Sequence, residues 1–424
     1  MQRSTIVRPA AMFWGLTVFM PVGVTYVAAV LLLVALFVAG GWRERAVRLR
    51  TQPMWWPVMA YVVWTLIIVA IEPHYPQTGS NLAHGLRIAA TVLMALSLTR
   101  EEALWALRGF MLIALINIVM IALFYTVGFP MLELWRGVLV LVGNKSISNA
   151  LLFTILGATS AVFGLKALSE RRFLPAVPAF AFTLVIVAII TLNLPSRTSL
   201  LALLLAIPAA CVHQWRRQLR VLAVSLLLVG AAVAAGLWNS PKVQEKFALG
   251  LQEIEQAQAG TVSEGSWVVR FYMYRDTARM IIDKPLTGWG IGGWTEQWHL
   301  RGPKLLADYN MPHNDFLWMG SQAGIPGALS LLLIMLTAVW LAWRRDDLIG
   351  RYAFVATLIV LIATSLNSAL RDAQIGLSIL WVAMIYLRLA REPGDSWRGL
   401  LPRRGGAPAA GRFFSGGVPQ SRPL

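Results

Sequence analysis

The sequence has little cysteine and little charge. Cys211 is the only cysteine among 424 residues, so the chain cannot form an internal disulfide or a metal site built from several cysteines. Charged residues make up 13% of the chain, whereas 57% of the residues are hydrophobic. A soluble protein of this composition would expose many apolar side chains to water. The composition therefore favours an all-α polytopic membrane protein.

Apolar runs recur along the whole chain, and most are long enough to cross a bilayer as helices. We predict about twelve transmembrane helices and one long helical loop, at 239–313, on the outer side. The predicted spans are residues 9–20, 22–40, 54–71, 82–98, 103–128, 146–165, 173–193, 197–213, 219–238, 314–343, 349–368 and 374–390.

Short basic loops set the predicted orientation. Four loops are rich in arginine, and the order of the predicted spans places them on the same face of the membrane. They are residues 42–50, 166–173, 213–220 and 343–351. The positive-inside rule places them, and both termini, in the cytoplasm. The net charge of +17 then reflects a membrane protein rather than a nucleic-acid partner. We predict one transmembrane domain over 1–390 and a disordered cytoplasmic tail over 391–424, which is rich in Gly, Pro and Arg.

Several cations fall on the outer side, against this rule. Ionisable groups at membrane depth are costly and often mark function, although a single arginine can also extend to lipid head groups. As a group, the cations predict an anionic ligand on the outer face. They are Arg87, Arg136, Lys145, Arg197, Arg270, Arg275, Arg279 and Arg371.

Arg197 lies in the most informative of these contexts. In NLPSRTSLL, the proline ends one helix and Ser196 can cap the next, so that Arg197 falls in a first helical turn. A helix N-terminus offers free N–H groups and the positive end of its dipole, to which a guanidinium adds charge. The pattern predicts a phosphate site. A salt bridge between Arg197 and an outer carboxylate is the structural alternative.

The segment RFYMYRDTAR places Arg270, Tyr274 and Arg275 close together on a helix, because residues four apart share a face. A basic and aromatic face of this kind suits a phosphate joined to a sugar. The alternative is a surface helix whose arginines pair with Asp276 and Asp283.

His313 stands at the N-terminal end of a predicted span that Asn314 or Asp315 can cap. A neutral imidazole there can accept a proton from a hydroxyl group, and Asp315 or Asn314 could orient the ring. A purely structural histidine is the alternative. No metal-ligand spacing links the outer histidines, so arginines would replace a divalent cation on a diphosphate. Three other histidines on the outer side compete for this role: His74, His84 and His299.

The segment TGWGIGGW at 287–294 matches G-x-G-x-x-G, the dinucleotide fingerprint. No strand precedes it and no βαβ unit surrounds it, so we reject that interpretation. Its glycines instead predict a tight turn after Pro285 that brings the loop backbone close to the site.

Three segments together resemble the O-antigen ligase and polymerase superfamily of bacterial inner membranes. They are SRTS (196–199), RFYMYRDTARMIIDKPLTGWGIGGW (270–294) and PHNDFL (312–317). Family members have a membrane-embedded SR motif and a long periplasmic loop. That loop holds an arginine with an aromatic residue four positions on, a PLxGxGxG turn and an HNxxL motif. Tyr274 stands where the family usually has tryptophan.

The resemblance implies a GT-C-like, metal-independent and inverting glycosyltransferase that needs no cofactor. The implied donor is a glycan on undecaprenyl diphosphate at the periplasmic face, and the implied acceptor is a hydroxyl of lipid A–core, with membrane lipids around both. Arg197 and Arg270 would hold the diphosphate, and His313 would act on the acceptor proton. The other implied substrate-binding residues are Arg87, Lys145, Ser196, Tyr274, Arg275, Asn314 and Arg371.

Two alternatives from within the superfamily stay open, an O-antigen polymerase and a protein O-oligosaccharyltransferase. The HNDFL motif after one large late loop favours the ligase. A lipid-linked glycan flippase is the alternative from another class. Flippases are expected to carry repeats or charges along the depth of the bilayer, whereas these cations cluster near the outer side.

Overall fold

The computed structural model describes residues 3–128, 144–194, 196–238 and 241–391, which form helices and connecting segments without a β-strand. We number the α-helices in chain order. They are α1 (Val7–Thr17), α2 (Val22–Ala39), α3 (Trp42–Arg50), α4 (Trp55–Ile71), α5 (Thr78–Ser97), α6 (Arg100–Val127), α7 (Asn144–Ser169), α8 (Phe173–Leu192), α9 (Arg197–Trp215), α10 (Leu219–Trp238), α11 (Pro241–Gln258), α12 (Ser266–Asp283), α13 (Gly293–Arg301), α14 (Asp315–Trp343), α15 (Leu348–Leu366) and α16 (Ala373–Leu389).

The chain is a multi-pass membrane protein. Within the described ranges, seven helices are long and apolar enough to span a bilayer, or eight if the bent pair α3 and α4 counts as one span. Each of the twelve predicted spans coincides with one helix to within a few residues. The all-helical class is therefore confirmed, whereas the number twelve stays a prediction. Pro195, Arg136 and the predicted disorder of 392–424 lie outside the described residues.

Small residues allow a close helix crossing between α1 and α6. A β-carbon on Gly15 would lie 2.1 Å from the carbonyl oxygen of Ala106, and one on Gly109 would lie 2.2 Å from that of Met12. Glycine is thus required on both helices, because any larger residue would force the backbones apart. Such close approach is a common basis of helix packing in membranes, where dispersion contacts replace the hydrophobic effect.

Helix α14 is broken eight residues after its start. Ala323 and Gly324 have non-helical backbone angles, and Gly324 has a φ of 67°. Pro326 follows and has no N–H group to donate. A break at membrane depth leaves polar backbone groups that only protein can satisfy. The hydrogen-bond partners of the backbone at the break come from residues 285–292, which precede the helix, and from α4.

That segment, which we call the docking loop (residues 285–292), lies against the break. The N–H of Trp289 donates to the Ser321 carbonyl at 2.8 Å, and the N–H of Ile325 donates to the Pro285 carbonyl at 2.7 Å. A β-carbon on Gly288 would lie 2.6 Å from the backbone of Gln322. The predicted turn is present, but its glycines bring the backbone to α14 and to residues 73–78, not to the cavity described below.

The bundle has two ends, which we call the site end and the far end. The site end carries the starts of α9 and α14 together with α12. The far end carries the basic loops, three of which meet there: His213 contacts the Trp343 carbonyl at 3.0 Å, and Gln214 donates to Ser169 at 2.8 Å. The fourth basic loop packs beside α6, where Arg45 forms a buried, two-point ion pair with Glu102 at 2.7 and 2.9 Å.

Candidate active site

The start of α9 is built as the sequence predicts. Ser196 is the N-cap, and its hydroxyl accepts from the backbone N–H of Ser199 at 3.2 Å. Arg197 is the first residue of the helix. The cap directs the first-turn N–H groups and the Arg197 side chain toward the site end, so a positive helix terminus and a guanidinium share one place.

Arg197, Arg270 and Tyr274 line one cavity of 320 Å³. Arg270 and Tyr274 are one turn apart on α12, which explains why both reach it. Helix α12 is held near α9 by a hydrogen bond from Arg197 to the Ser266 hydroxyl at 3.0 Å. The rest of the lining is mostly apolar: Thr198, Leu201, Ile254, Trp267, Phe271 and Leu366.

Neither cavity arginine forms an ion pair with a carboxylate in the described part of the chain. Arg197 is exposed and bonds a neutral hydroxyl. Arg270 is partly buried, and its Nε has no hydrogen-bond partner. Burial, followed by repulsion from Arg197, lowers the pKa of Arg270, whereas Tyr274 raises it. Two neighbouring cations without a counter-charge favour an anion in this cavity.

His313 lies beside the cavity. Its carbonyl accepts a hydrogen bond at 3.0 Å from the hydroxyl of Tyr274, which lines the cavity, and its Nδ1 lies 3.2 Å from Oδ1 of Asn367. Its backbone adopts the left-handed conformation, with a φ of 54°, which is uncommon for a residue other than glycine. Burial is the main cause that lowers the pKa of His313. The hydrogen bond to Asn367 raises that pKa and Arg270 lowers it, so the ring is neutral at pH 7.

The two residues after His313 stabilise the fold. The Asn314 side chain caps α14 by accepting from the N–H groups of Phe316 and Leu317 at 2.9 and 3.0 Å. The fully buried carboxylate of Asp315 accepts from the N–H groups of Leu370 and Arg371 at 2.7 and 2.9 Å. The prediction of a cap is confirmed. The hydrogen bonds of Asn314 and Asp315 do not go to the His313 ring, which lies against Asn367 instead.

Arg87 and Arg371 lie next to each other, close to Asp315. Arg87 donates to the carbonyls of Leu370 and Arg371 at 2.9 and 2.6 Å, and to the hydroxyl of Tyr26 at 2.8 Å. Arg371 donates to the Asn310 side chain at 3.3 Å. Both residues are absent from the lining of the cavity. Their predicted substrate contacts therefore stay predictions, whereas the observed contacts support the chain between α15 and α16.

Lys145 and Arg275 are likewise engaged away from the cavity. The ammonium group of Lys145 donates to the carbonyls of Phe19 and Met20, the first at 2.6 Å, and so closes the end of α1. Arg275 forms a two-point ion pair with Asp276 at 2.7 and 3.0 Å. The structure thus follows the alternative interpretation for Arg275, a surface arginine paired with Asp276.

Several residues of the site are not among those predicted from the sequence. Trp267 and Phe271 form part of the cavity wall, and the spacing of aromatic residues along α12 could have indicated them. Asn367 carried no local signal, because it lies 54 residues after the histidine that it contacts. Among the described residues, no group of three or more His, Cys, Asp or Glu side chains is placed to hold a metal ion.

Residues 180–332 match a family model described as O-antigen ligase (Wzy_C). Over this region the chain is similar to the O-antigen ligase family. The match includes all three sequence segments that carried the resemblance, and it confirms the predicted superfamily. Members of this family are glycosyltransferase-like enzymes that act on lipid-linked glycans. A comparison with curated proteins found no match.

The matched region includes most of the cavity lining and the neighbouring histidine, whereas Leu366 of the lining lies outside it. It includes the capped start of α9, helix α12, the docking loop and the first part of α14. Arg87, Lys145, Asn367 and Arg371 lie outside it. The matched region therefore holds the two cavity arginines, His313 and Asp315, whereas the 367–371 segment itself and Arg87, which supports it, lie outside.

Proposed function

We propose that this protein is an O-antigen ligase, which transfers a glycan from undecaprenyl diphosphate to a sugar hydroxyl of lipid A–core. One observation carries the proposal. Two arginines without carboxylate partners share a cavity that adjoins a neutral histidine, within the matched domain. This arrangement supplies what glycosyl transfer from a diphosphate requires, which is charge stabilisation for the leaving group and a base for the acceptor.

The cavity suits a diphosphate joined to a lipid. Arg197, Arg270 and the first-turn N–H groups of α9 would bind the phosphate oxygens, because all of them are donors near a positive helix end. The apolar wall formed by Leu201, Phe271 and Leu366 would contact the first part of the polyprenyl chain. Three exposed leucines of α9 would continue this apolar surface toward the bilayer: Leu201, Leu204 and Leu205.

The reaction is a single displacement. The acceptor oxygen attacks the anomeric carbon, the bond from that carbon to the diphosphate oxygen breaks, and the configuration inverts. The hydroxyl proton passes to His313, and the electron pair of the broken bond remains on the diphosphate. Arg197 and Arg270 stabilise this growing negative charge, as donors do in an oxyanion hole. We propose that these arginines replace a metal ion.

The same proposal includes the cellular setting. The protein is an inner-membrane GT-C-like enzyme with about twelve spans, and residues 1–390 form its transmembrane catalytic domain. The loop 239–313 and the site end face the periplasm, whereas both termini are cytoplasmic. The basic loops at the far end support this orientation through the positive-inside rule.

A reconstituted reaction tests the proposal. Purified protein, polyprenyl-diphosphate-linked glycan and lipid A–core are incubated in detergent with EDTA, and products are resolved by gel and mass spectrometry. We expect transfer to lipid A–core in the presence of the chelator. His313→Ala is expected to lower the rate by about 10²–10⁴-fold, because it removes the general base.

Matched variants separate the site from its surroundings. His299→Ala changes an exposed histidine on α13, and Arg279→Ala changes an arginine on the same helix as Arg270 that pairs with Asp276 instead. We expect both to keep wild-type rates. Lengthening of the lipid-linked glycan without transfer to lipid A–core would show that the protein is a polymerase and not a ligase. Movement of the lipid-linked glycan across vesicles without either product would point to a flippase.

A further inference from the structure

The ring of His313 lies against a side chain whose own orientation is fixed. Oδ1 of Asn367 lies 3.2 Å from Nδ1 of His313, and the same oxygen accepts a hydrogen bond from the backbone N–H of Ser368 at 3.0 Å. An N–H donor needs an oxygen and not an NH₂ group. The contact with Ser368 therefore determines which end of the Asn367 amide faces the histidine.

This orientation determines where the imidazole carries its proton. A carboxamide oxygen only accepts hydrogen bonds, so Nδ1 of His313 must be the donor. The neutral ring then has its lone pair on Nε2. Without a fixed acceptor, a neutral imidazole divides between two tautomers, and only one of them presents Nε2 as a base.

The segment that carries Asn367 is held on two sides. Leu366, the residue before it, lines the cavity. Asp315 accepts from the backbone N–H groups of Leu370 and Arg371, and Arg87 donates to the carbonyls of the same two residues. The buried segment thus has little freedom to move away from His313.

We infer that Asn367 is a positioning residue that sets the tautomer of His313, and that Arg87 and Asp315 hold it in place. The inference rests on the proposed function, because it assigns Nε2 of His313 as the atom that receives the acceptor proton. As that proton arrives, the ring becomes an imidazolium that still donates Nδ1–H to Asn367. No other reactant is needed.

The first test is spectroscopic and does not depend on activity. The full-length protein is labelled with ¹⁵N-imidazole histidine and titrated in liposomes by solid-state NMR, with His313 assigned by the signal lost in His313→Ala. We expect the Nδ1–H tautomer in the wild type. Asn367→Asp should raise the pKa of His313, because a carboxylate stabilises the imidazolium, and Asn367→Ala should lower it and mix the tautomers.

Kinetics provide the second readout. Asn367→Ala is expected to lower kcat by about 10- to 100-fold with little change in KM, a smaller loss than removal of the base itself. The acid limb of kcat/KM should move to lower pH in Asn367→Ala and to higher pH in Asn367→Asp. A merely structural role would not shift the two limbs in opposite directions.

Asn193→Asp is the matched control, since it adds the same charge at the site end, on the turn after α8. It should leave both the NMR titration and the acid limb unchanged. An Nε2–H tautomer in the wild type, or a His313 pKa that neither Asn367 variant moves, would overturn the inference. Wild-type protein with the expected tautomer but no transferase activity would instead overturn the proposed function.

Discussion

The two ends of the helix bundle hold their arginines differently. At the far end, Arg45 pairs with Glu102 and Arg216 pairs with Asp346. At the site end, Arg87, Arg197, Arg270 and Arg371 have no carboxylate within ion-pair distance among the described residues, and their observed partners are hydroxyl, amide, imidazole and carbonyl groups. These two far-end arginines are neutralised by carboxylates, whereas these four site-end arginines are not. Two other site-end arginines, Arg275 and Arg279, pair with Asp276 on α12.

This difference separates stability from function. A buried ion pair is costly to break, because the remaining partner is left as an unpaired buried charge. A buried cation without a counter-charge already bears that cost in the folded state, and an anionic ligand would relieve it. Removing Arg45 and removing Arg270 should therefore have opposite consequences for stability.

Arg45→Ala should destabilise the protein by about 3–5 kcal/mol, because Glu102 would stay buried without its partner. The Arg45 and Glu102 side chains are only 9% and 4% exposed, so solvent cannot replace the lost contact. Thermal unfolding in detergent measures the effect. Transfer activity per folded molecule should remain at the wild-type level. A loss of that activity would contradict the assignment of the Arg45–Glu102 pair to stability alone.

Arg270→Ala should lower kcat/KM by about 10²–10³-fold, the range observed when a donor to developing negative charge is removed. Its melting temperature should equal or exceed that of the wild type, since an uncompensated cation is removed. The transfer assay and a melting curve on the same preparation check both halves. A variant that is active but unstable would assign Arg270 to the fold.

Arg270→Gln should also change the pH dependence. Burial lowers the pKa of His313, and Arg270 lowers it further, so the wild-type acid limb of kcat/KM should lie below the ordinary histidine value of about 6.5. Removing the positive charge of Arg270 raises the pKa of His313. Because activity needs the neutral ring, the acid limb then moves to higher pH. Initial rates between pH 4.5 and 8 measure the shift, and an unmoved limb would separate His313 from Arg270.

Arg8→Ala should have the smallest effect, no more than about 1 kcal/mol of stability. Arg8 pairs with Glu101 at the surface, where their side chains are 41% and 56% exposed. Water and salt screen such a pair, so little is lost with it. Melting curves beside Arg45→Ala provide the comparison. Equal losses in the two variants would show that burial does not set the value of far-end ion pairs.

Local patterns of the sequence predicted the local features of the site. Ser196 and Asn314 cap their helices because a cap depends on two or three neighbouring residues. Arg270 and Tyr274 share the cavity because residues four apart share a helix face. The family match supports the same segments. These features are all encoded within one turn of helix.

Tertiary contacts were beyond the reach of the same patterns. Arg87 and Lys145 resembled ligand-binding cations, but they donate hydrogen bonds to carbonyl groups of connecting segments that are distant in the sequence. Asn367 contacts His313 only because α14 and α15 pack together. The break in α14 carried a local signal, Gly324 followed by Pro326, but the position of its partner, the docking loop, depends on the assembled fold.

The docking loop also has a consequence for how the chain is made. Its residues leave the ribosome shortly before α14, so the groups that complete the broken helix are synthesised first and lie on the site end. The part of α14 after the break can insert as an ordinary helix. The backbone groups at the break gain their hydrogen-bond partners only when the docking loop packs against them. We therefore expect Gly288→Val, which would press a side chain into the backbone of Gln322, to impair maturation after insertion rather than insertion itself.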